Sequence, residues 1–313
     1  MRNDAMSTDC LLISSISKEY KKGKVKANRN INASFRPGEL TAVIGHNGAG
    51  KTTLLNQVVG IVKPNSGDIT YNGYSLVKDT KMARNIVSMM PQFHAPLSGV
   101  TLYQSIESIL RIRGVSGKHI NAYVEQMMSE LDIQQWAKRS GDKLSGGLQR
   151  LVSFAMAVVY PAPIILLDEP TNDVDPVRRK RVWQHMRKLA QRGHIVVVVT
   201  HNLLEVEQYA DRYLLLNNGE LIQDAPIGDL SKNFASNTLT ATINDVGILD
   251  SAPEAIEIRF VEEESRVVYT LSAEQVPQAI DWILKMIEKG EISSYRLSSE
   301  SLDVSYGGMT DEK

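Results

Sequence analysis

Apolar residues recur along the chain with two periods, one near two and one near 3.6, and the switches between them outline its elements. Leu11, Ile13 and Ile16, and then residues 30–35, alternate apolar with polar positions as half-exposed antiparallel strands do. Residues 40–44 are a continuous apolar run, and Leu54, Leu55, Val58 and Val59 follow at helical spacing. Residues 68–71 with Asn72-Gly73 read as a strand entering a hairpin turn, and 86–90 as a strand ending at Pro91-Gln92. A loop through Phe93, His94, Pro96 and Gly99 follows. Leu102, Ile106, Ile109 and Leu110 form one apolar helical face, and Val124, Met127, Met128 and Leu131 another. Lying between strand-rich halves, this block reads as an inserted helical subdomain over about residues 93–160.

Leu148, Leu151, Val152, Ala155, Met156 and Val159 continue as a helical stripe with Ser145 at its N-cap. Residues 164–167 and 195–199 are unbroken apolar runs, as in parallel strands covered on both faces. Between them, Asp175-Pro176 opens a helix with Val182, Trp183, Met186 and Leu189 inward, ending at Gly193. Residues 214–216, Asn217-Asn218-Gly219 and 221–222 read as a hairpin, completing a first unit near 235. After a polar linker at 233–237, strands are expected at 238–243, 256–260 and 267–271, and an amphipathic helix on Val276, Ala279, Ile280, Ile283, Leu284 and Ile287. The expected organisation is a tail at 1–10, an α/β unit at 11–235 and a small C-terminal α+β domain at 236–313.

Composition narrows the classes. With 313 residues, 42% hydrophobic and 23% charged, the chain can bury a globular core. Its 35 basic and 36 acidic residues balance, so no global field draws it to nucleic acid or to an anionic membrane. Cys10 is the sole cysteine, which excludes an internal disulfide and fits a reducing compartment. Residues 1–17 carry Arg2, Asp4 and Asp9 and no apolar core of a signal peptide, so a cytoplasmic start is expected. Residues 151–167 lack charge, but Pro161 and Pro163 divide them into a buried helix and a buried strand rather than a membrane span.

The chemistry concentrates after the strand at 40–44. Gly45-His46-Asn47-Gly48-Ala49-Gly50-Lys51-Thr52-Thr53 has the spacing of a phosphate-binding loop, in which backbone N–H groups and a helix N-terminus face an anion. Lys51 would reach the β- and γ-phosphates and the Thr52 hydroxyl would ligate Mg²⁺. Asp168, Glu169 and His201 follow apolar strands, at the carboxyl ends where open α/β sheets gather ligands. Tyr20, upstream of the loop, is either an edge-strand tyrosine or a flat platform for adenine. Leu144-Ser145-Gly146-Gly147 supplies a second glycine-rich helix N-terminus.

The phosphate loop, Gln92 after a strand, Leu-Ser-Gly-Gly, an apolar run into Asp168-Glu169 and His201 closing another strand together resemble, in this order, the ATP-binding cassette (ABC) transporter ATPases, over residues 11–230. Ser301-Leu302-Asp303-Val304 is similar to the tail of the exporter-type subfamily that includes the daunorubicin-type drug exporter ATPases. The resemblance implies a P-loop NTPase core with an antiparallel β subdomain and the helical subdomain. It implies ATP and Mg²⁺ as cofactors, and a dimer sandwiching two ATP molecules, homodimer or heterodimer. In it Ser145, Gly146 and Gly147 would bind the γ-phosphate in trans. Asp168 would hold Mg²⁺, Glu169 would orient or deprotonate the attacking water, Gln92 would sense the metal or the water, and His201 would contact the γ-phosphate region.

The implied role is ATP hydrolysis powering export through a separate membrane permease docked near residues 92–101. The chain would then be peripheral on the inner face of the cell membrane, with no nucleic acid as partner. The alternatives are a soluble cassette ATPase acting on nucleic acid or the ribosome, and a binding-only regulatory subunit. Two positions depart from the family pattern: Leu148, where glutamine is common, and Asp173, where the loop usually carries glycine.

Overall fold

The computed structural model describes residues 10–21, 24–93, 98–230, 237–244, 247–248, 252–253, 255, 257–261, 265–272 and 274–299. His94 and Pro96, linker residues 233–236 and the tail motif at 301–304 lie outside the described residues. The chain divides into two compact units, 1–201 with 208–227 and 202–207 with 228–313.

Along the chain run β1 (Leu11–Tyr20), β2 (Val25–Phe35), β3 (Leu40–Ile44), α1 (Lys51–Val58), β4 (Ser66–Tyr71) and β5 (Tyr74–Ser75). They are followed by α2 (Thr80–Ile86), β6 (Val87–Met90), α3 (Leu102–Ile112), α4 (Gly117–Leu131), α5 (Gly146–Val158) and β7 (Ile164–Asp168). Then come α6 (Pro176–Gln191), β8 (Ile195–Val199), α7 (Leu203–Tyr209), β9 (Arg212–Asn217) and β10 (Glu220–Pro226). The first unit holds a four-stranded antiparallel sheet ordered β2-β1-β4-β5 and a six-stranded sheet ordered β10-β9-β3-β8-β7-β6.

Every residue of β3, β7 and β8 is buried, because each strand pairs in parallel on both sides and helices cover both faces. One core joins the sheets through α1: Leu54, Leu55 and Val58 pack among Ile13, Ile31, Phe35, Val43, Leu166 and Val199. That layering fixes the loop before α1 at the carboxyl edge of the parallel sheet. On β1, Ile13 and Ile16 are both buried although three residues apart. A bulge explains it: the register shifts between them and Ser15 takes φ 53°.

Helix α2 was not expected from the pattern. Its sequence shows only Met82, Ala83 and Ile86 as apolar positions, and it depends on Asp79, which accepts from Met82 N at 2.9 Å. Ile86 therefore closes a helix, and the strand expected from 86 starts at Val87. Helix α3 opens with a reciprocal capping box between Thr101 and Gln104, and α6 opens on Asp175 with Pro176 in its first turn. Uncharged residues 151–167 separate into α5 and β7, and among the described residues no helix is long and apolar enough to cross a membrane.

The second unit contains β11 (Asn237–Ile243), β12 (Glu257–Val261), β13 (Arg266–Leu271), α8 (Val276–Glu288) and β14 (Ile292–Ser299), its antiparallel sheet ordered β12-β13-β11-β14. Helix α8 buries Ala279, Trp282, Ile283 and Met286 against Leu239, Ala241, Val267 and Leu271. Trp282 meets Tyr269 edge to face at 5.6 Å, and burial pushes the Tyr269 phenol up to about 12. Strand β14 escapes sequence reading because an edge strand with Ser293, Ser294, Arg296 and Ser298 shows little apolar alternation.

Candidate functional site

The loop between β3 and α1 is shaped by contacts that only glycine permits at its last position. Gly50 takes φ 101°, and a Cβ there would lie 2.1 Å from the Ala27 carbonyl oxygen and 2.7 Å from Asn28 Nδ2. Buried Asn28 on β2 donates from Nδ2 to the Gly50 carbonyl at 3.2 Å. Gly219 N donates to the Ala49 carbonyl at 3.1 Å, and His46 Nε2 lies 3.1 Å from Asn217 Oδ1. Asn28, Asn217 and Gly219 thus hold the loop from β2 and the β9–β10 turn. Nothing in their spacing announces it.

Lys51 is 7% exposed, and its ammonium donates to the carbonyls of Gly45 and, at 2.9 Å, His46. Burial lowers its pKa, with Glu169 and Asp168 opposing the shift. Thr52 Oγ1 donates to Asp168 Oδ2 at 2.7 Å. Parallel pairing brings these together: Val43 sits beside Val199, and Val199 beside Asp168. Lys51, Thr52, Asp168, Glu169 and Gln92 line one cavity of about 450 Å³. Asn47, Gly48, Gly50 and Thr53 line it from the loop and the start of α1, and Tyr20, Val25 and Ala27 from β1 and β2. Tyr20 is exposed at the end of β1, with the Lys18 ammonium 5.3 Å from its ring centre.

Glu169 follows β7 with φ 51°, a left-handed conformation that costs a non-glycine residue about 1–2 kcal/mol. Its N–H donates to the Val199 carbonyl at 2.9 Å, and its Oε1 lies 3.0 Å from His201 Nδ1. Glu169 Oε2 and Asp168 Oδ1 are buried with no hydrogen-bond partner. Buried oxygens of this kind are completed by a donor, a water or a cation. A hard divalent cation takes hydroxyl and carboxylate oxygens, and Mg²⁺ uses one or two carboxylates together with phosphates and waters. Thr52 Oγ1, Asp168 Oδ1 and the Gln92 amide are suited to that. Among the described residues no cluster of three or more His, Cys, Asp or Glu could hold a metal without such help.

Ser145, Gly146 and Gly147 stand apart from this cavity. Ser145 is the exposed N-cap of α5, its hydroxyl accepting from Leu148 N at 3.4 Å. Gly147 is fixed by close approach: a Cβ there would lie 2.3 Å from the Asp173 carbonyl oxygen. Asp173 takes φ 59°, the conformation for which glycine is the usual residue. The segment after Glu169 therefore lies on the N-terminus of α5. Arg150, buried in α5, donates to the Gln92 carbonyl at 2.7 Å and so ties Gln92 to that helix. Nothing in the spacing around Arg150 marks this contact, which spans 58 residues of chain.

Burial raises the Asp168 pKa, with Glu169 adding to the rise and the Thr52 hydroxyl, Lys51 and Arg150 opposing it. A carboxyl raised on folding penalises the folded state once ionised, so the penalty is complete above the raised pKa. It fades as pH falls through the raised pKa and is gone below the unfolded value of about 3.9. Asp168→Asn is therefore expected to raise the melting temperature of the nucleotide-free chain at pH 8. Calorimetry from pH 8 to pH 5 should show the gain narrowing toward acid.

The family model described as ABC transporter matches residues 28–172. ATP-binding cassette sub-family A member 6 of Mus musculus is 34% identical over 217 residues, 68% of this chain and 13% of that protein. Cholesterol transporter ABCA5 of Homo sapiens is 32% identical over 223 residues, 70% of this chain and 14% of that protein. The chain thus spans about one-eighth of the length of these relatives. Among solved structures, the dimeric post-hydrolysis state of the ATP-binding cassette MJ0796 bound to ADP and Pi superposes with a TM-score of 0.64 at 26% identity, covering 69% of this chain and 98% of that one. An ATP binding subunit of an ABC transporter gives a TM-score of 0.65 at 23% identity, covering 72% and 92%, and shows the shared fold. With its P-loop α/β core, its paired carboxylates and these relatives, the chain belongs to the ATP-binding cassette ATPases of the ABC transporter family.

Proposed function

We propose that the chain is the ATP-hydrolysing subunit of an ABC exporter, working with a separate membrane permease at the inner face of the cell membrane. The observation that carries it is the convergence of Lys51, Thr52, Gln92, Asp168 and Glu169 on one cavity, with two buried carboxylate oxygens left unsatisfied. Lys51 exchanges the Gly45 and His46 carbonyls for the β- and γ-phosphates of ATP. Thr52 and Asp168 would hold Mg²⁺, and the bound ion would neutralise developing phosphate charge. Tyr20 stacks on adenine through its exposed ring. Glu169 accepts a proton from the attacking water through the free Oε2, while His201 fixes Oε1 and reaches toward the γ-phosphate region.

Ser145, Gly146 and Gly147 lie off the cavity and present a helix N-terminus, which favours an anion. In our reading that anion is the γ-phosphate bound to a second cassette. The dimeric state of the MJ0796 cassette supports this arrangement for a chain of the same fold. The Asp173 backbone carbonyl presses on Gly147, so the segment after Glu169 borders that surface.

The permease docks in the groove between the helical block and the six-stranded sheet, where Phe93 is 86% exposed. Movement of ATP-bound cassettes passes through Arg150, which joins α5 to Gln92. Purification from native membranes in mild detergent is expected to bring down a polytopic membrane protein in stoichiometric amount. Its absence would overturn the transport assignment.

A further inference from the structure

A separate cavity, of about 250 Å³, lies where α4, α6 and the segment from the end of α5 to Pro161 meet. It shares no lining residue with the cavity that holds Lys51. Tyr123, Met127, Val159 and Leu189 give it an apolar lining, and the rings of Tyr123 and Tyr160 meet edge to face at 6.2 Å. Set into that lining are two imidazoles, His185 on α6 and His194 beyond its end.

Hydrogen bonding fixes the protons on both rings. His194 Nδ1 lies 2.9 Å from the Ala162 carbonyl oxygen, which can only accept, so that nitrogen carries the proton. His185 Nδ1 lies 2.7 Å from Glu130 Oε2. Against the cost of burial, the Gln126 amide and His185 hold the Glu130 carboxyl below its ordinary range, so it accepts and the His185 proton also sits on Nδ1. Burial lowers the His185 pKa, with Glu130 opposing the shift and Lys188 and Arg192 adding to it, so the ring is neutral at pH 7. Its Nε2 is then a bare lone pair. His185 is 7% exposed, and this nitrogen has no hydrogen-bond partner. Phe154, packed edge to face on the imidazole at 5.7 Å, and Glu130 together hold the ring in this orientation.

A buried acceptor in an apolar lining calls for a donor. A cation there would meet Arg192 and an anion would meet Glu130, both of which line the cavity, so a neutral donor is favoured. A metal ion is not, because among the described residues no group of three or more His, Cys, Asp or Glu could hold one. An apolar cavity of about 150 Å³ already takes a benzene ring, so this one has room for a bicyclic ring.

We infer that this cavity binds a small, planar, neutral aromatic molecule with an N–H or O–H donor, of the indole or phenol class, the donor meeting His185 Nε2 and the ring lying against Tyr123, Met127 and Leu189. The site is separate from the nucleotide cavity and does not depend on the permease reading above.

The test uses the full chain, isotope-labelled at the nitrogens of its six histidines, in saturating Mg-ADP so that the nucleotide site is occupied. The probes are indole and benzothiophene, which has the same bicyclic shape and no N–H. Calorimetric titration is expected to give indole a dissociation constant of about 1 mM or tighter, and at least about tenfold below that of benzothiophene, roughly what one buried hydrogen bond contributes. In long-range proton–nitrogen spectra indole should move the unprotonated His185 Nε2 resonance upfield, as accepting a hydrogen bond does, and benzothiophene should leave it in place. His185→Phe should erase the preference for indole. Because that change also takes the donor from Glu130, Tyr123→Ala serves as a second variant: it keeps the His185–Glu130 pair, strips one wall, and should weaken both probes at least about threefold while the preference survives. Equal affinity for the two probes, no binding of indole, a shift at another histidine with none at His185, or affinities unchanged in both variants would overturn the inference.

Discussion

Glu169→Gln is expected to lower ATP turnover at least about 100-fold, the range in which general base catalysis contributes, while nucleotide affinity stays near that of wild type. The amide keeps the shape of the carboxyl and its oxygen can still meet His201 Nδ1, now 3.0 Å from Oε1. It also preserves the left-handed turn at φ 51°. What it removes is the capacity of the unpartnered Oε2 to take a proton from water. Truncation to Ala would be a poorer probe, because it would open space at a residue only 4% exposed and mix packing with chemistry. Phosphate release under saturating Mg-ATP and binding of a fluorescent nucleotide separate the two effects. Turnover equal to wild type would remove Glu169 from the reaction; weaker binding with unchanged turnover would make it a binding residue.

The parts of this fold that were legible in the sequence are those in which burial dictates residue type. β3, β7 and β8 are covered on both faces, so they read as unbroken apolar runs, and α6 announces itself through Asp175-Pro176. Elements held by few apolar contacts were missed. Helix α2 rests on one aspartate cap, and β14 is an edge strand of mostly polar residues. At the candidate site, Lys51, Thr52, Asp168 and Glu169 sit in short patterns whose spacing follows from strand-to-loop geometry. Asn28 and Arg150 do not: each acts across a tertiary contact, 22 and 58 residues from the backbone group it holds. The β1 bulge is similar, since the three-residue step from Ile13 to Ile16 makes sense only with Ser15 bent out.

An equal mixture of Lys51→Ala and Ser145→Arg chains is expected to hydrolyse ATP although each variant alone has lost at least about 90% of its turnover. Lys51→Ala removes the ammonium that lies in the mouth of the loop, so no chain carrying it can grip the β- and γ-phosphates. Ser145→Arg places a large side chain at an exposed N-cap and gives up a 3.4 Å bond to Leu148 N, a loss of about 1 kcal/mol that the fold should tolerate. If each site joins the loop of one chain to the α5 N-terminus of another, both homodimers lack every complete site. A mixed dimer recovers one, from the intact Lys51 of one partner and the intact Ser145 of the other. Random two-fold pairing then restores about a quarter of the wild-type sites. A site complete within one chain predicts a different result: Ser145→Arg alone would turn over like wild type, because Ser145 does not line the cavity that holds Lys51. Steady-state phosphate release from the separate and mixed chains decides between them, and wild-type activity in the Ser145→Arg sample or in the mixture would refute the shared site.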